Sequence, residues 1–170
     1  NKKLLGEINK AVKNEEHFMK DNTQLLKEIG QNNSWEKVVV LGDSELEGIA
    51  GEAAIAFKEI PQVPSSYHHI LDVRHGPMVL IDDKTLVIMA CSPFGLSYQQ
   101  DLIKDLRKKG AKVVTIGDKS RSEYGSDFNV EVSTYDNYRV MGIPFIFVHQ
   151  VMAYYKALSR DINPDQPESL

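Results

Sequence analysis

The sequence predicts an α/β domain built on a doubly wound parallel sheet. Three observations predict it. Short β-branched runs recur at residues 37–41, 85–90 and 112–116, and stretches with helical apolar spacing alternate with them. Each run ends in a small-residue turn: Gly42-Asp43-Ser44, Ser92-Pro93-Phe94-Gly95 and Gly117. Continuous apolar strands are those buried on both faces, and strand–turn–helix alternation is how parallel sheets are connected.

Residues 2 to about 29 place Leu4, Leu5, Ile8, Val12, Phe18, Leu25, Leu26 and Ile29 at helical spacing, among Lys, Glu and Asn. This predicts a long covering helix ended by Gly30 and the polar run after it. The run Val38-Val39-Val40 is a buried strand, followed by a turn and a helix over 45–59. That helix turns Leu46, Ile49, Ala50, Ala53, Ala54 and Phe57 inward. Asp43 is an anion where a phosphate would sit, so the turn at 42–44 reads as a helix N-cap more than as a phosphate cradle. Pro61 and Pro64 stop the helix and force an extended segment over 63–70. A His-Gly-Pro turn follows, with one helical turn starting at Pro77. The strand at 85–90 leads through Ser92–Gly95 into a helix over about 97–109, capped by Gly110. Strands follow at 112–116 and 128–132. The last helix, 144–159, is apolar nearly all round, which predicts burial on more than one side. The tail from 161 to 170 reads as irregular surface chain.

At 170 residues the chain is long enough for one domain with a sizeable core. Its net charge of −4, with no clustered Lys and Arg, argues against a nucleic-acid or anionic-membrane surface. No apolar run reaches the ~18 residues that span a bilayer. The single Cys91 excludes an intrachain disulfide or a cysteine-rich metal cluster and suits a reducing cytoplasm. No signal peptide is read at Asn1. A start without Met and a stop at Ser169-Leu170 suggest a piece of a longer protein.

Two groups stand out chemically. Glu59 ends a helix just before Pro61, and sixteen positions later His75 sits in a Gly/Pro-fixed turn, Arg74-His75-Gly76-Pro77. A carboxylate and an imidazole can both be tuned toward neutral pH, which suits proton transfer between adjacent carbons of a sugar. Each also has a plain reading, as a solvated helix end and as a hydrogen-bonded turn histidine. Arg74 could grip a phosphate or form an ordinary ion pair. His68 and His69 point to opposite faces of an extended segment and cannot easily share a metal, so no metal site is expected. His17 and His149 sit at helical positions without a supporting constellation. Cys91 reads as a small packing residue or, for want of a base, a poor nucleophile. Ser92 and Ser97 flank a turn that could bind phosphate, though Pro93, Phe94 and Leu96 crowd it.

The runs Leu41-Gly42-Asp43-Ser44, Gly51 through Ile60 and Arg74-His75-Gly76-Pro77 resemble the second sugar isomerase (SIS) domain of two-domain phosphosugar isomerases. These include the isomerase half of glucosamine-6-phosphate synthase and the tagatose-6-phosphate ketose/aldose isomerase group. Gln150–Tyr154 and Asp165-Gln166-Pro167 resemble the same domain's last helix and tail. The resemblance implies a flavodoxin-like, three-layer α/β/α fold with about five strands. Residues 1–170 would then be one SIS domain, made of an N-terminal helix (1–30), a core (37–160) and a tail (161–170), and the C-terminal half of a longer chain. It also implies aldose–ketose isomerisation, or deaminating isomerisation, of a phosphorylated and often amino sugar, with no cofactor. Glu59 matches the family's base. His75 matches the ring-opening histidine, often supplied across a dimer interface, and Arg74, Ser44, Ser92 and Ser97 become substrate-binding candidates. A homodimer or higher homo-oligomer is expected.

Three departures stand against this. Ala56 replaces a lysine common in the family. The chain stops before the family's catalytic lysine. The turn at 92–97 is a poor copy of the phosphate loop, which belongs to the first SIS domain. A non-catalytic sugar-phosphate-binding or dimerisation module, or a deglycase acting on a phosphorylated sugar amine, therefore remain as alternatives.

Overall fold

A computed structural model of the protein describes residues 2–166. Five parallel strands form one sheet in the order β2-β1-β3-β4-β5, with β1 Lys37–Gly42, β2 Ser65–His69, β3 Thr85–Ala90, β4 Lys112–Gly117 and β5 Phe128–Glu131. This is the flavodoxin-like order, with its topological switch between β1 and β3. The helices are α1 Lys2–Gln31, α2 Glu45–Glu59, α3 Leu96–Lys108, α4 Arg121–Tyr124 and α5 Gly142–Ser159.

Strand alternation sorts the core into two halves. Val38, Val40, Leu86, Ile88 and Ala90 face a cluster completed by Leu26 and Ile29 of α1, Ala50 and Phe57 of α2, and Phe145 and Met152 of α5. Val39, Leu41, Val87 and Met89 face the other way, toward Ile70, Val73 and Ile81 of the β2–β3 crossover and Leu102 and Leu106 of α3. A period of two sends neighbouring residues to opposite faces, so six-residue apolar strands carry both layers. The result is the expected three-layer α/β/α sandwich.

The extended segment at 63–70 contributes a true strand, β2. Its sequence Ser-Ser-Tyr-His-His lacks β-branched apolar residues because it lies at the sheet edge and is only half-buried. Its crossover to β3 carries no helix longer than two 3-10 turns, Asp72–Arg74 and Pro77–Leu80. The short α4 was not legible in the apolar pattern. It starts from a capping box in which Ser120 Oγ accepts from Glu123 N, while the Glu123 carboxylate accepts from Ser120 N.

Gly30 does not end α1. The helix runs on to Gln31, and Gly30 is buried where α1 crosses α5: a Cβ there would lie 2.7 Å from Met152 O and 3.0 Å from Tyr155 Cβ. The chain has glycine at this position because two backbones meet there. The all-round apolarity of α5 follows from the same packing, since one side meets the sheet and another meets α1. Lys156 of α5 is buried with them, donating to Asn32 O (2.9 Å) and Trp35 O (3.2 Å) and lying 3.9 Å from the Trp35 ring centre. The end of the tail, 167–170, and Asn1 lie outside the described residues.

Candidate active site

Glu59 is the last residue of α2, which runs back along the sheet from the carboxyl end of β1 to its amino end. Ser65 Oγ donates to Ala54 O (2.5 Å), Val63 N to Phe57 O (2.9 Å) and Val38 N to Pro64 O (2.9 Å). These bonds fix the end of α2 over the first residues of β1 and β2. The Glu59 side chain is exposed and has no hydrogen-bond or ion-pair partner among the described residues.

His75 lies on the other side of the sheet, in the crossover anchored by buried Val73. The turn is fixed as the sequence predicts. His75 N donates to Asp72 O (2.9 Å), and Gly76 adopts φ 127°, a conformation a side chain would strain. The His75 ring is exposed, and Val79 and Leu80 beside it are 78% and 72% exposed. Arg74 pairs with Asp105 of α3 at 2.9 Å, so within the chain it already has a carboxylate. A groove of about 310 Å³ opens beside this turn, lined by Ser66, His68, Pro77 and Leu80. The larger cavity of about 710 Å³ between α3 and α4, lined by Lys104, Arg107 and Glu123, holds none of the candidate residues.

The three serines lie at the opposite edge. Ser44 follows β1 with φ 48° and ψ −120°, and its exposed hydroxyl makes no capping bond. Asp43 does not cap α2 either; its carboxylate meets His69 Nε2 at 2.6 Å. Ser92 is buried and donates to Phe94 O (3.0 Å), while Gln99 of α3 donates to Ser92 O (2.9 Å) and Phe94 O (2.7 Å). The turn is therefore closed on itself. Ser97 is exposed on the first turn of α3. Cys91 is fully buried, and burial pushes its thiol far up, so it is inert as a nucleophile. Among the described residues no group of three or more His, Cys, Asp or Glu is placed to hold a metal ion.

One pair escaped the sequence reading. His149 of α5 is fully buried, with Nδ1 3.0 Å from Phe145 O, and its Nε2 contacts the carboxylate of Glu52 on α2. The two are far apart in sequence, and an isolated histidine on an apolar helix gives no hint of its partner.

Comparison with known proteins adds the family. The SIS domain family model matches residues 33–160. The chain belongs to the SIS domain family. The match includes Ser44, Glu59, Arg74, His75, Ser92 and Ser97 and begins after the end of α1. This SIS chain is 36% identical over 137 residues to D-galactosamine-6-phosphate deaminase of Shewanella sp. strain ANA-3, covering 77% of the chain and 33% of the relative. It is 28% identical over 169 residues to glutamine–fructose-6-phosphate aminotransferase (isomerizing) of Buchnera aphidicola, covering 99% of the chain and 27% of the relative. Among solved structures, glucosamine-6-phosphate deaminase of Thermotoga maritima superposes with a TM-score of 0.78 at 27% identity, over 95% of this chain and 47% of that one. Tagatose-6-phosphate ketose/aldose isomerase of Escherichia coli shares the fold, with a TM-score of 0.75 at 21% identity, over 100% of this chain and 47% of that one. The SIS chain thus spans about a third or less of these curated relatives. No described helix is long and apolar enough to cross a membrane.

Proposed function

We propose that this SIS domain is the catalytic-base half of a phosphosugar isomerase or deaminating isomerase, acting on a hexose or hexosamine phosphate. The observation that carries the reading is the placement of Glu59. It is a carboxylate at a helix end, facing solvent and engaged by no described group, in a chain 36% identical to a galactosamine-phosphate deaminase.

His75 opens the sugar ring by moving a proton between the ring oxygen and the C1 hydroxyl. Glu59 then takes the proton from C2 of the open-chain aldose. The C–H electron pair becomes the C1=C2 bond of an enediol, or of an enolamine when C2 bears nitrogen, as the C1 oxygen gains a proton. Return of the proton to C1 gives the ketose. From an amino sugar it gives a C2 imine, and water hydrolyses that to ketose and ammonia. The sequence of steps balances without a cofactor.

The sheet stands between Glu59 and His75, and the serine turn is closed on itself. Both facts support a site assembled from two chains: His75 serves a neighbouring subunit, and another domain grips the phosphate. The exposed Val79 and Leu80 beside His75 give such a subunit an apolar seat. On this reading the native chain carries a further SIS domain and works in the cytoplasm as a homo-oligomer. The test is turnover by the full-length protein of glucosamine 6-phosphate and galactosamine 6-phosphate, followed as ketose and ammonia, and of tagatose 6-phosphate, followed as aldose. Ketose with ammonia identifies a deaminase, and aldose–ketose exchange without ammonia an isomerase. Ligand-dependent thermal stabilisation without either product identifies a non-catalytic module, the reading that Ala56 favours.

A further inference from the structure

Lys156 is a charge that the fold buries among neutral groups. It is 3% exposed, and its ammonium group meets Asn32 O at 2.9 Å, Trp35 O at 3.2 Å and the Trp35 ring at 3.9 Å. An ammonium carries three hydrogens, and the two carbonyls take two of them. Among the described residues no carboxylate lies within ion-pair distance of it. Burying a charge is costly unless an opposite charge accompanies it. Carbonyls and a ring offset part of that cost and leave the charge itself unbalanced.

The charge lines a cavity of about 350 Å³. Trp35, Val63 and Pro64 give this cavity apolar walls, and Arg160, four residues beyond Lys156, brings a second cation to it. Arg160 is exposed and has no described carboxylate in reach; its Nη1 donates to Gln62 O at 3.1 Å. Burial, and then the nearby Arg160 guanidinium, hold the Lys156 ammonium below its ordinary value. The acidic group on the lining, Glu36, is exposed at the rim and pairs with Lys84 at 3.3 Å. Two cations therefore face one pocket with apolar walls, in the size range of small-molecule sites, roughly 300–1,000 Å³.

We propose that this cavity binds a small metabolite carrying a phosphate or carboxylate group. The oxyanion lies between Lys156 and Arg160, and the apolar part of the ligand lies against Trp35 and Pro64. The third ammonium hydrogen and the guanidinium fork both give charge-assisted bonds to such a group. Neither Glu59, His75 nor any of the candidate serines lines the cavity, so the site is additional to the proposed catalytic one. Because Arg160 also holds Gln62, the occupant lies against the loop that leaves α2 just past Glu59.

Trp35 supplies the reporter. Its indole N–H is held by Ile29 O at 2.9 Å, and its ring is the one that Lys156 covers. The test uses the full-length protein labelled with ¹⁵N-tryptophan, the Trp35 indole resonance being assigned by its loss in Trp35→Phe. Inorganic phosphate and acetate are titrated separately, with sodium chloride at equal ionic strength as the control. A saturable shift of the Trp35 resonance is expected with phosphate, acetate or both, and none with chloride. The tighter of the two identifies the group recognised. Lys156→Met and Arg160→Gln should each weaken that binding about tenfold or more, the worth of one charge-assisted hydrogen bond. Arg160 is exposed, so Arg160→Gln keeps the fold and decides the matter even where Lys156→Met is unstable. A resonance unmoved by either anion, moved equally by chloride, or moved as tightly in Arg160→Gln as in the wild type overturns the proposal.

Discussion

Glu59 and His75 project from opposite faces of the sheet, with the edge strand β2 between the elements that carry them. One chain therefore offers them to two different surroundings, and the proposed site takes one from each of two subunits.

This arrangement predicts complementation between inactive variants. Glu59→Gln and His75→Ala should each abolish turnover alone. Mixed in equal amounts and allowed to exchange subunits, half the dimers are hybrids, each with one site that has both residues. Activity should return to about a quarter of wild type. A mixture as inactive as its parts places both residues in one site of one chain.

The contact of α1 with α5 predicts a stability effect at a position with no chemistry. Gly30→Ala forces a Cβ to within 2.7 Å of the Met152 carbonyl, which must move. Overpacking of this kind costs about 1–3 kcal/mol. Urea denaturation should show the loss, although alanine ordinarily favours a helix over glycine. An unchanged or higher midpoint means that the two helices do not meet there.

Gly30 also illustrates what the sequence could and could not convey. The three central strands were plain, because Val38-Val39-Val40 and its counterparts must satisfy two apolar layers at once. The edge strand β2 was only an extended segment, since its half-buried Ser-Ser-Tyr-His-His carries no such pattern. Gly30 read as a helix stop, because a glycine needed for close packing and one needed for a left-handed turn look alike in one dimension. The candidate site divided in the same way. The Glu59 and His75 turns formed as their prolines and glycines require, but the sheet that separates them is a property of topology. The Glu52–His149 contact joins two helices across most of the chain, and nothing local signals it.

Burial of His149 predicts an acid-side loss of stability. Removal from water holds the imidazole below its ordinary value near 6.5, and Glu52 opposes only part of that. The unfolded chain takes up a proton at the ordinary value, whereas the folded protein does so only at lower pH. Between the two the unfolded state binds more protons, so stability falls as pH drops through that window and is fully present above it. Chemical denaturation from pH 8 to pH 5 should show a steeper decline below pH 6.5 in the wild type than in His149→Leu. Equal slopes contradict the assignment.

The most direct test of the central claim is exchange of the C2 proton. Full-length protein incubated with the aldose phosphate in deuterated water should incorporate deuterium at C2 of recovered substrate. Glu59→Gln should lower that exchange by about 100-fold or more, the usual contribution of a general base, with the fold retained because the side chain is exposed. Exchange at the wild-type rate in Glu59→Gln would contradict the assignment of Glu59 as the base.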